Sequence, residues 1–504
     1  QGIDKYDPYH FKFAFLQNDI AKDVMPFPLS VSSIAKDKFG RLWFSCIDKG
    51  VYVYNPNDKS YTHLNNPTNS IAKGLNSLDI PSLFIDSNQN VWVASWYNGI
   101  YLLKYGAKRF INISTKSFPK TLKSNRIVSF SEDSKGVIWI GTFLGGLLSY
   151  NTKTNALKHY DGEAFENAEL HNGNIRKVIV DKNDNIWLGT RKGIYRYNQK
   201  YNSVTSFNDK IKATSNGAFS DFIVFSLYED ANKNIWIGSD GYGLFSYSFS
   251  DDQFTWYGEG SNLRNMSINS ITQSFDGLYW LGTDDGLIRY DNNDKTFRVF
   301  DSNDGLLSMK INRSAFLTDG NTLYLGTSEG INFFDFDKIN SNKNVPKILF
   351  QQLKIGNKRV SVSEIGSLKK TIQFSDSIFL NYNQSSFSID YIGVNQTRGE
   401  KNNYAYMLEG LEKDWNYVDK LRTATYTNIK PGKYTFKLKA SNNDGVWTAK
   451  SKNVFIKVTP PWWLTIGAKI SYAIIILSLS FYISRLIRLR VLERRKAEVE
   501  RNQR

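Results

Sequence analysis

Apolar and aromatic residues recur in one repeated phrase along the first two thirds of the chain, typified by VIWIGTFLGGLLSY at 137–150. The phrase begins with a short apolar run that contains an aromatic residue, which we call the anchor. Small residues and a glycine come next, and a run of alternating apolar and polar residues ends the phrase. Seven segments carry the phrase, with anchors at Trp43, Trp92, Trp139, Trp187, Trp236, Trp280 and Tyr324. Consecutive anchors are 49, 47, 48, 49, 44 and 44 residues apart, which leaves room for four short strands in each repeat.

The order of apolar runs and turn residues within a repeat predicts antiparallel strands. Each repeat opens with an apolar run and turns at an aspartate-containing hairpin, as at 133–136 and 181–185. It returns through the anchor run, passes a loop that ends in glycine, and finishes in two further strands. Seven such units predict an all-β fold, a seven-bladed β-propeller over residues 1–344.

The last repeat has no obvious fourth strand of its own. The N-terminal segment 10–15 alternates strictly and places Phe11, Phe13 and Phe15 on one face. We therefore expect this segment to complete the last blade, which closes the ring without long exposed edges.

The repeat stops near residue 344, and the pattern then changes to short alternating strands such as SFSIDYI, KYTFKLKAS and NVFIKV. Turn residues, among them Pro431 and Gly432, separate these strands. The pattern predicts an antiparallel, Ig-like β-sandwich over residues 345–459.

A third region begins at the pair of prolines at 460–461. Residues 462–484 form a 23-residue stretch with Lys469 as its one charge. At 1.5 Å per residue this stretch spans about 34 Å, enough to cross a bilayer core of about 30 Å. We predict a transmembrane helix at 460–484 and a basic juxtamembrane helix or coiled-coil start at 485–504; a buried helix of a soluble protein is the less favoured alternative.

The distribution of charged residues predicts which way this segment crosses the membrane, and it changes how the net charge of the chain is interpreted. The 504 residues carry 64 Lys and Arg against 48 Asp and Glu, a net charge of +16. Residues 485–504 hold eight basic and three acidic side chains, or +5, which leaves +11 for the other 484 residues. Basic flanks stay on the cytoplasmic side, so we expect an inner-membrane, single-pass protein with residues before 460 in the periplasm. The tail then contacts anionic lipid rather than nucleic acid.

Residues that carry familiar chemistry are scarce. None of the four histidines has a second histidine or a carboxylate at metal-binding spacing, and the single cysteine, Cys46, excludes internal disulfides and cysteine-based metal cages. Nucleophile-elbow, phosphate-loop and zinc-protease motifs are absent. The Asp-x-Asn hairpins resemble part of a calcium loop, but Asp and Asn are expected in tight turns. We expect no catalytic residues, metal or cofactor, although carboxylates converging on a propeller axis leave a glycan-acting enzyme open. The N-terminus has no signal-peptide pattern, so an exported chain has lost its signal peptide or further upstream sequence.

The loops that follow the anchor strands are the leading candidates for a binding face. Equivalent loops of all blades emerge on one side of a propeller, and the segments near 125–126, 174–176 and 312–313 should lie on that side as well. Their aromatic planes, charges and amides suit an oligosaccharide or a similar small molecule, whereas ordinary solvated loops are the plain alternative for any single residue. The candidate ligand-binding residues are Trp96, Tyr97, Asn98, Arg126, Phe143, Arg191, Lys192, Asp240, Tyr242, Asp284, Asp285 and Glu329.

Two segments give a family resemblance. The repeated W-I-G-T-x-x-G phrase resembles the two-component-regulator propeller repeat. The run YAYMLEGLEKDWNYV at 404–418 and the following RTATYTNIKPGKYTFKLKASNNDGVW resemble the three-tyrosine domain that succeeds such propellers, with Tyr406, Tyr426 and Tyr434 at the tyrosine positions.

The resemblance implies a homodimeric periplasmic sensor from Bacteroidetes. Such a sensor reads a carbohydrate or other nutrient and signals through one membrane helix to a cytoplasmic histidine kinase. Two departures qualify this expectation. Family sensors usually carry about twice as many repeats, and no histidine follows His171, so kinase activity is implied only for a longer parent. A non-catalytic envelope scaffold remains the alternative beside the glycan enzyme.

Overall fold

The computed structural model describes residues 12–16, 29–65, 73–167, 170, 173–214, 222–258, 263, 265–339, 342–363, 366–395 and 398–502. The chain divides into two compact units, Gln1–Asn340 and Ser341–Arg504. The fold is mostly β, with propeller-like repeats of four-stranded sheets in the first unit.

The described part of the first unit contains seven four-stranded antiparallel sheets. The chain begins with β1 (Ala14–Phe15), an edge strand of the seventh sheet. The first two sheets consist of β2 (Val31–Lys36), β3 (Leu42–Cys46), β4 (Gly50–Asn55), β5 (Ser60–His63), β6 (Ser82–Ile85), β7 (Val91–Ala94), β8 (Ile100–Leu103) and β9 (Ile111–Ile113). The third and fourth consist of β10 (Ile127–Glu132), β11 (Val137–Thr142), β12 (Leu147–Asn151), β13 (Ala156–Tyr160), β14 (Ile175–Val180), β15 (Asn185–Thr190), β16 (Gly193–Asn198) and β17 (Ser203–Ser206).

The remaining strands of this unit continue the same order. The fifth and sixth sheets consist of β18 (Val224–Glu229), β19 (Ile235–Ser239), β20 (Leu244–Ser248), β21 (Gln253–Trp256), β22 (Ile268–Gln273), β23 (Tyr279–Thr283), β24 (Gly286–Asp291) and β25 (Thr296–Phe300). The seventh combines β1 with β26 (Ile311–Asp319), β27 (Thr322–Thr327) and β28 (Ile331–Asp335). Short helices α1 (Glu163–Asn167) and α2 (Asn208–Thr214) precede β14 and β18, and 3-10 turns lie at Ser302–Asp304 and Phe336–Lys338.

The first strands of successive sheets pack side by side, and β26 of the seventh sheet packs against β2 of the first. Hydrophobic clusters fill the spaces between neighbouring sheets; one of them joins Trp187 of the fourth sheet to Phe245 of the fifth. Each of the six anchor tryptophans is at most 3% exposed. The anchors that define the repeat in the sequence are therefore the residues that hold one sheet against the next.

Each tryptophan anchor is tied to the hairpin turn of its own sheet. Its indole Nε1 donates to the side chain six residues earlier, at 2.8–3.3 Å; the pairs are Trp43–Asp37, Trp92–Asp86, Trp139–Asp133, Trp187–Asp181, Trp236–Asp230 and Trp280–Ser274. The five aspartates are buried and also accept backbone N–H groups of their turn where these are described, as Asp37 accepts from Arg41 at 3.0 Å. These carboxylates are engaged in the turn structure itself.

The N-terminal strand β1 pairs antiparallel with β28, Ala14 opposite Phe333. Phe13 is buried and packs edge-on against Phe300 and Phe334, at centroid distances of 5.3 and 5.0 Å. Phe15 is 43% exposed. The N-terminal segment thus adds the fourth strand of the seventh sheet as expected, with Phe13 in its core and Phe15 partly exposed; Phe11 lies outside the described residues.

The second unit contains two further sheets around one hydrophobic core. Its strands are β29 (Lys347–Ile355), β30 (Lys358–Arg359), β31 (Ser377–Asn381), β32 (Phe387–Val394), β33 (Tyr404–Glu409), β34 (Asn416–Tyr417), β35 (Thr423–Tyr426), β36 (Gly432–Ala440) and β37 (Lys452–Thr459). Short 3-10 turns lie at Ile372–Phe374, Tyr382–Gln384, Gly399–Lys401 and Trp462–Leu464.

The two sheets have the strand orders β30-β29-β32-β35 and β31-β37-β36-β33-β34. All pairs are antiparallel except β31 with β37, which is parallel, so the expectation of a wholly antiparallel arrangement is wrong at this edge. Of the three tyrosine positions, Tyr406 and Tyr426 join an aromatic cluster with Tyr391 and Phe436. The hydroxyl of Tyr434 instead donates to the carbonyl of Lys430 at 2.9 Å.

The chain ends in one long helix, α3 (Ile466–Asn502), of 37 residues. Sequence analysis predicted a transmembrane helix at 460–484 and a basic juxtamembrane helix at 485–504; in the structure one uninterrupted helix, which starts at Ile466, covers both segments. The helix starts late because Thr465 caps it: its hydroxyl accepts the Ala468 N–H at 3.3 Å and donates to the Trp462 carbonyl at 2.6 Å. The span 466–499 is long and apolar enough to cross a membrane.

Candidate ligand-binding face

The turns after the anchor strands and the segments that lead into the first strands are hydrogen-bonded to each other. In six sheets an N–H of the turn donates to the carbonyl of the residue just before or near the first strand, at 2.8–3.3 Å; the pairs are Ile47–Ser30, Trp96–Asp79, Phe143–Arg126, Arg191–Asn174, Asp240–Ile223 and Ser328–Lys310. Both sets of loops therefore lie on one face of the first unit. We call it the loop face.

The hydroxyl residue at the end of the anchor strand shapes these turns. Its side chain donates to the carbonyl of the turn glycine, as Thr190 does to Gly193 at 2.9 Å and Thr327 to Gly330 at 3.0 Å. The same oxygen accepts the N–H two residues on, for example that of Glu329 at 3.1 Å. Because the hydroxyl closes the turn, the two residues between Thr and Gly are free to vary from repeat to repeat.

One group of predicted residues gathers on the second and third sheets. The rings of Trp96 and Phe143 lie 5.3 Å apart. The guanidinium of Arg126 lies 6.0 Å from the Trp96 ring and 5.6 Å from the Phe143 ring. These three side chains form an aromatic and cationic wall, the kind of surface on which a planar or sugar ring can stack.

This wall borders a cavity of about 350 Å³ between the third and fourth sheets. Phe143, Asn174, Arg191 and Lys192 line it. The Asn174 side-chain oxygen is buried with no hydrogen-bond partner among the described residues. An unsatisfied acceptor at a cavity wall is a position that a ligand hydroxyl or a water can satisfy.

The other predicted residues do not come together. Asn98, Asp285 and Glu329 are exposed at the tips of their turns, and Tyr97 is 62% exposed. Tyr242 packs against the core cluster between the fourth and fifth sheets. Asp240 and Asp284 lie instead near a second group at the centre of the unit, which is described next.

The centre is built by an irregularity common to several first strands. A β-bulge near the start of β2, β10, β14, β18 and β22 leaves one residue out of register with the neighbouring strand; the bulged residues are Ser32, Val128, Arg176, Phe225 and Asn269. Bulges re-aim side chains. The position therefore presents a different side chain in each sheet.

In β26 the irregularity is larger. Ile311 faces Thr327 and Phe316 faces Leu325, so five steps along β26 correspond to two along β27. Ser314, in the middle of this excursion, adopts a left-handed backbone conformation with φ 55°. The excursion carries Arg313 and Ser314 toward sheets that are not neighbours of the seventh.

Contacts across the centre follow from this excursion. The Arg313 guanidinium lies 3.5 Å from the centroid of the Phe225 ring, and that of Arg176 lies 5.6 Å from it. The Lys177 amine donates to the Ser314 hydroxyl at 3.2 Å. The central cluster, as used below, consists of Arg176, Lys177, Arg191, Phe225, Asp240, Asp284 and Arg313.

Three cationic groups of the central cluster have lowered pKa values, although Arg313, like Arg191, is partly open to solvent. Burial, then the neighbouring charges of Arg313 and Arg191, lower the pKa of Arg176, while Asp240 acts in the opposite direction. Burial likewise lowers the pKa of Arg313, partly offset by Asp240 and Asp284. Burial lowers the pKa of Lys177 to about 8.

The two carboxylates of the central cluster accept hydrogen bonds from neutral groups. Asp240 accepts from the Ser267 hydroxyl at 2.8 Å, and Asp284 accepts from the Asn269 amide at 3.1 Å. A cavity of about 430 Å³, lined among others by Asn269, Asp284, Lys310 and Arg313, opens beside them. Together with the 350 Å³ cavity it provides room for a small molecule on the loop face.

Within the described ranges, no three His, Cys, Asp or Glu side chains are placed to hold a metal ion together. Cys46 is buried in the first sheet, and burial raises the pKa of its thiol, so it is a small core residue rather than a nucleophile. The arrangement supports binding through cation, amide and aromatic contacts.

Sequence reasoning placed Arg176 and Arg313 near this face but missed Phe225, Lys177 and Ser314. A signal for Lys177 was available. Lys177 pairs with Gly189, and the residues at the corresponding position in four other first strands are all serine: Ser33, Ser129, Ser226 and Ser270. Phe225 had no such signal, because an apolar residue in a strand is ordinary.

Comparisons with known proteins agree with this architecture. The two component regulator propeller family matches residues 121–143 and 217–241, and the Y_Y_Y domain family matches residues 395–459. The chain carries regulator propeller repeats and a Y_Y_Y domain. The matched repeat segments include Arg126, Phe143 and Asp240 of the loop face, so part of that face lies within regulator propeller repeats.

A relative and a structural neighbour extend the comparison. Histidine kinase P4 of Formosa agariphila is 30% identical over 462 residues, covering 88% of this chain and 32% of that protein. The chain thus spans about a third of the length of this relative. The crystal structure of the extracellular domain of a B. thetaiotaomicron protein, described as a hybrid two component system, has a TM-score of 0.52 at 22% identity and covers 90% of this chain and 60% of that one. This structural similarity shows the fold alone. The two family matches and the kinase relative confirm the resemblance to a two-component sensor region.

Proposed function

We propose that the chain is the extracytoplasmic, ligand-sensing and signal-transmitting part of a membrane-bound two-component sensor that detects a carbohydrate or other nutrient. The observation that carries the proposal is the loop face. Variable side chains from the second to the seventh sheet lie on that face, and some of them gather in the aromatic wall and in the central cluster, on a scaffold that otherwise repeats. The similarity to a histidine kinase supports the signalling role.

In this proposal the seven sheets form one seven-bladed propeller (1–344) and the two sheets of the second unit form an Ig-like sandwich (345–459). Helix α3 crosses the bacterial inner membrane once, with residues before 460 in the periplasm and 485–504 in the cytoplasm. The chain forms a homodimer, and the kinase belongs to a longer parent. The twelve predicted loop residues, with the central cluster, form the site for an oligosaccharide or similar small ligand.

The junction between β37 and α3 is suited to transmit a change in packing. Two prolines at 460–461 restrict the backbone there. Trp463 packs edge-on against Tyr382 at 5.2 Å, which ties the start of the helix to the turn after β31. At 1.5 Å per residue the uninterrupted helix is about 55 Å long, longer than a bilayer core. A rotation or tilt imposed at Trp463 would therefore reach the basic tail through one rigid element.

Inter-chain crosslinking tests this mechanism. The single native cysteine is buried, so a Leu486→Cys variant of the full chain in membranes reports on helix separation with little background. We expect an oligosaccharide that binds by calorimetry to change the rate at which the introduced thiols of two chains form a disulfide. Trp463→Ala should abolish that change while leaving calorimetric binding intact, because it loosens the junction only.

Loss of calorimetric binding in Trp96→Ala or Arg191→Ala would place the ligand on the loop face. Equal crosslinking with and without a bound ligand would contradict the proposed transmission. A matched Tyr417→Ala variant, which alters another exposed aromatic of the same unit, controls for nonspecific loosening.

A further inference from the structure

The three arginines of the central cluster have no acidic partner at contact distance. Arg176, Arg191 and Arg313 form no ion pair within 4.0 Å with any carboxylate in the part of the chain that the structure describes. The Nε atom of Arg176 is buried and makes no hydrogen bond there. Buried arginine N–H groups are ordinarily satisfied, because leaving one unsatisfied costs more than an ordinary lost hydrogen bond.

The guanidinium group of Arg176 is also close enough to the other two to be repelled by them. Arg313 and Arg191 both disfavour the charged form of Arg176. Four cations of the cluster, Lys177 included, face two carboxylates, Asp240 and Asp284. The cluster therefore has an excess of positive charge. It lies beside a cavity of about 430 Å³ whose charged lining consists of Arg313 and Lys310 together with the carboxylates Asp79 and Asp284.

A purely structural role does not account for this arrangement. Apolar side chains would be enough to cover the Phe225 ring. The structure instead places the guanidinium groups of Arg176 and Arg313 beside it. The ring does hold the planar guanidinium of Arg313 at 3.5 Å. Stacking of this kind orients the N–H fork while leaving its edge free to donate, and that fork matches the two oxygens of a carboxylate or sulfate.

We propose that the central cluster is an oxyanion subsite, and that the ligand is an acidic saccharide whose carboxylate or sulfate group binds between Arg176 and Arg313. The neighbouring polar groups fit the rest of such a molecule. The Asp284 carboxylate and the unsatisfied side-chain oxygens of Asn269 and Asn174 can accept hydrogen bonds from hydroxyl groups. The wall formed by Trp96 and Phe143 provides a stacking surface on the same face. This inference rests on the proposed sensor function and narrows its ligand class.

Two pairs of probes separate the charge from the sugar. Trigalacturonate and its full methyl ester have the same sugar backbone but differ in the carboxylate charge, which the ester methyl groups replace, and 3′-sulfolactose and lactose differ only in the sulfate. Binding of each to the detergent-solubilised full chain is measured by calorimetry, at about 0.05 M and about 0.5 M salt. We expect one acidic probe to bind at least about tenfold more tightly than its neutral counterpart, and to weaken at high salt.

Arg313→Gln should weaken that acidic probe at least about tenfold, and Arg313→Lys should restore only part of the loss, because an ammonium group lacks the planar fork. Arg109→Gln is the matched control: Arg109 is exposed and follows the turn at the far end of β8. An unchanged melting temperature of Arg313→Gln excludes unfolding as the cause.

The preferred probe identifies the group, carboxylate or sulfate, and either preference supports the subsite. Equal binding of neutral and acidic probes, or unchanged binding by Arg313→Gln, overturns the anion assignment and leaves the sensor proposal standing. Failure of both acidic probes to bind also overturns it. Ligand-independent crosslinking of the Leu486→Cys variant, by contrast, contradicts signal transmission and leaves the subsite intact.

Discussion

The first six sheets and the seventh use the same strand order but are held together differently. In the first six, a tryptophan indole donates to the residue six positions earlier, an aspartate in five of them. In the seventh, Tyr324 replaces the tryptophan and Thr318 occupies the position of the aspartate. Its outer edge is supplied by β1 from the other end of the unit.

The two kinds of sheet also differ at the centre. The first strands of five sheets contain one-residue bulges, whereas β26 makes a longer excursion that brings Arg313 over Phe225 and Ser314 to Lys177. A repeated scaffold places equivalent residues at equivalent distances from the centre. Breaking the repeat in one sheet is what allows side chains of non-neighbouring sheets to meet and form a site.

The largest expected difference concerns the turn aspartate. Asp230 is fully buried and accepts from Trp236 Nε1 at 2.8 Å, from the Tyr279 hydroxyl at 2.8 Å and from the Asn234 N–H at 2.8 Å. Asp230→Ala leaves these donors unsatisfied, and we expect it to lower the free energy of unfolding by about 3–5 kcal/mol. Denaturant unfolding of the solubilised chain measures this loss.

Thr318→Ala is the matched change in the seventh sheet. Thr318 makes one hydroxyl contact, with Thr272 at 2.8 Å, so a loss below about 1 kcal/mol is expected. Similar losses in both variants would show that the seventh sheet depends on its turn as much as the others do.

The next largest effect concerns the closing strand. Phe13 is 4% exposed and packs against Phe300 and Phe334, so Phe13→Ala should cost about 3 kcal/mol through lost burial and a cavity. Phe15→Ala, at a position 43% exposed, should cost less than about 1 kcal/mol. Hydrogen exchange of β28 should rise in the first variant only; unchanged exchange would mean that β1 contributes little to the seventh sheet.

The smallest effect concerns the central lysine, and it depends on pH. Burial lowers the pKa of Lys177 from 10.5 to about 8, so the folded chain holds this proton less tightly than the unfolded chain. The charged amine therefore costs stability at and below pH 8, and the cost is relieved as the pH rises toward 10.5. Lys177→Met should raise the free energy of unfolding by about 1–3 kcal/mol at about pH 7, with a gain that shrinks as the pH approaches the ordinary pKa of a lysine.

Lys123→Met, at an exposed position, should change the free energy of unfolding by less than about 0.5 kcal/mol, both at about pH 7 and near the ordinary pKa of a lysine. A Lys177→Met gain that is equal at both pH values would point to improved packing rather than to removal of a buried charge.

Much of the fold could be predicted because its signals are local. The spacing of the tryptophans and the glycine after each anchor strand predicted propeller-like four-stranded repeats, because the first is a fixed period along the chain and the second lies within one repeat. The uninterrupted helix α3 was predicted as two segments, because composition changes at Arg485 while helical geometry does not. The parallel pairing of β31 with β37 had no local signal at all.

The candidate site was only partly predictable. Trp96, Arg126 and Phe143 were identified as loop residues and do come together. Tyr97 and Glu329 were chosen by the same rule and are exposed at turn tips. Turn position alone tells which face a residue occupies, but the direction of its side chain depends on neighbours from other sheets.

The sequence by itself determined the repeat, the anchors that join the sheets, and the apolar helix at the end of the chain. Each of these depends on residues close together along the chain or on a fixed spacing. Only the tertiary structure decided which cations share a site. Arg176 and Arg313 are 137 residues apart, and they meet over Phe225 because bulges in three different first strands turn these side chains toward the centre. A bulge is set by the register between strands, and register is a property of the folded sheet.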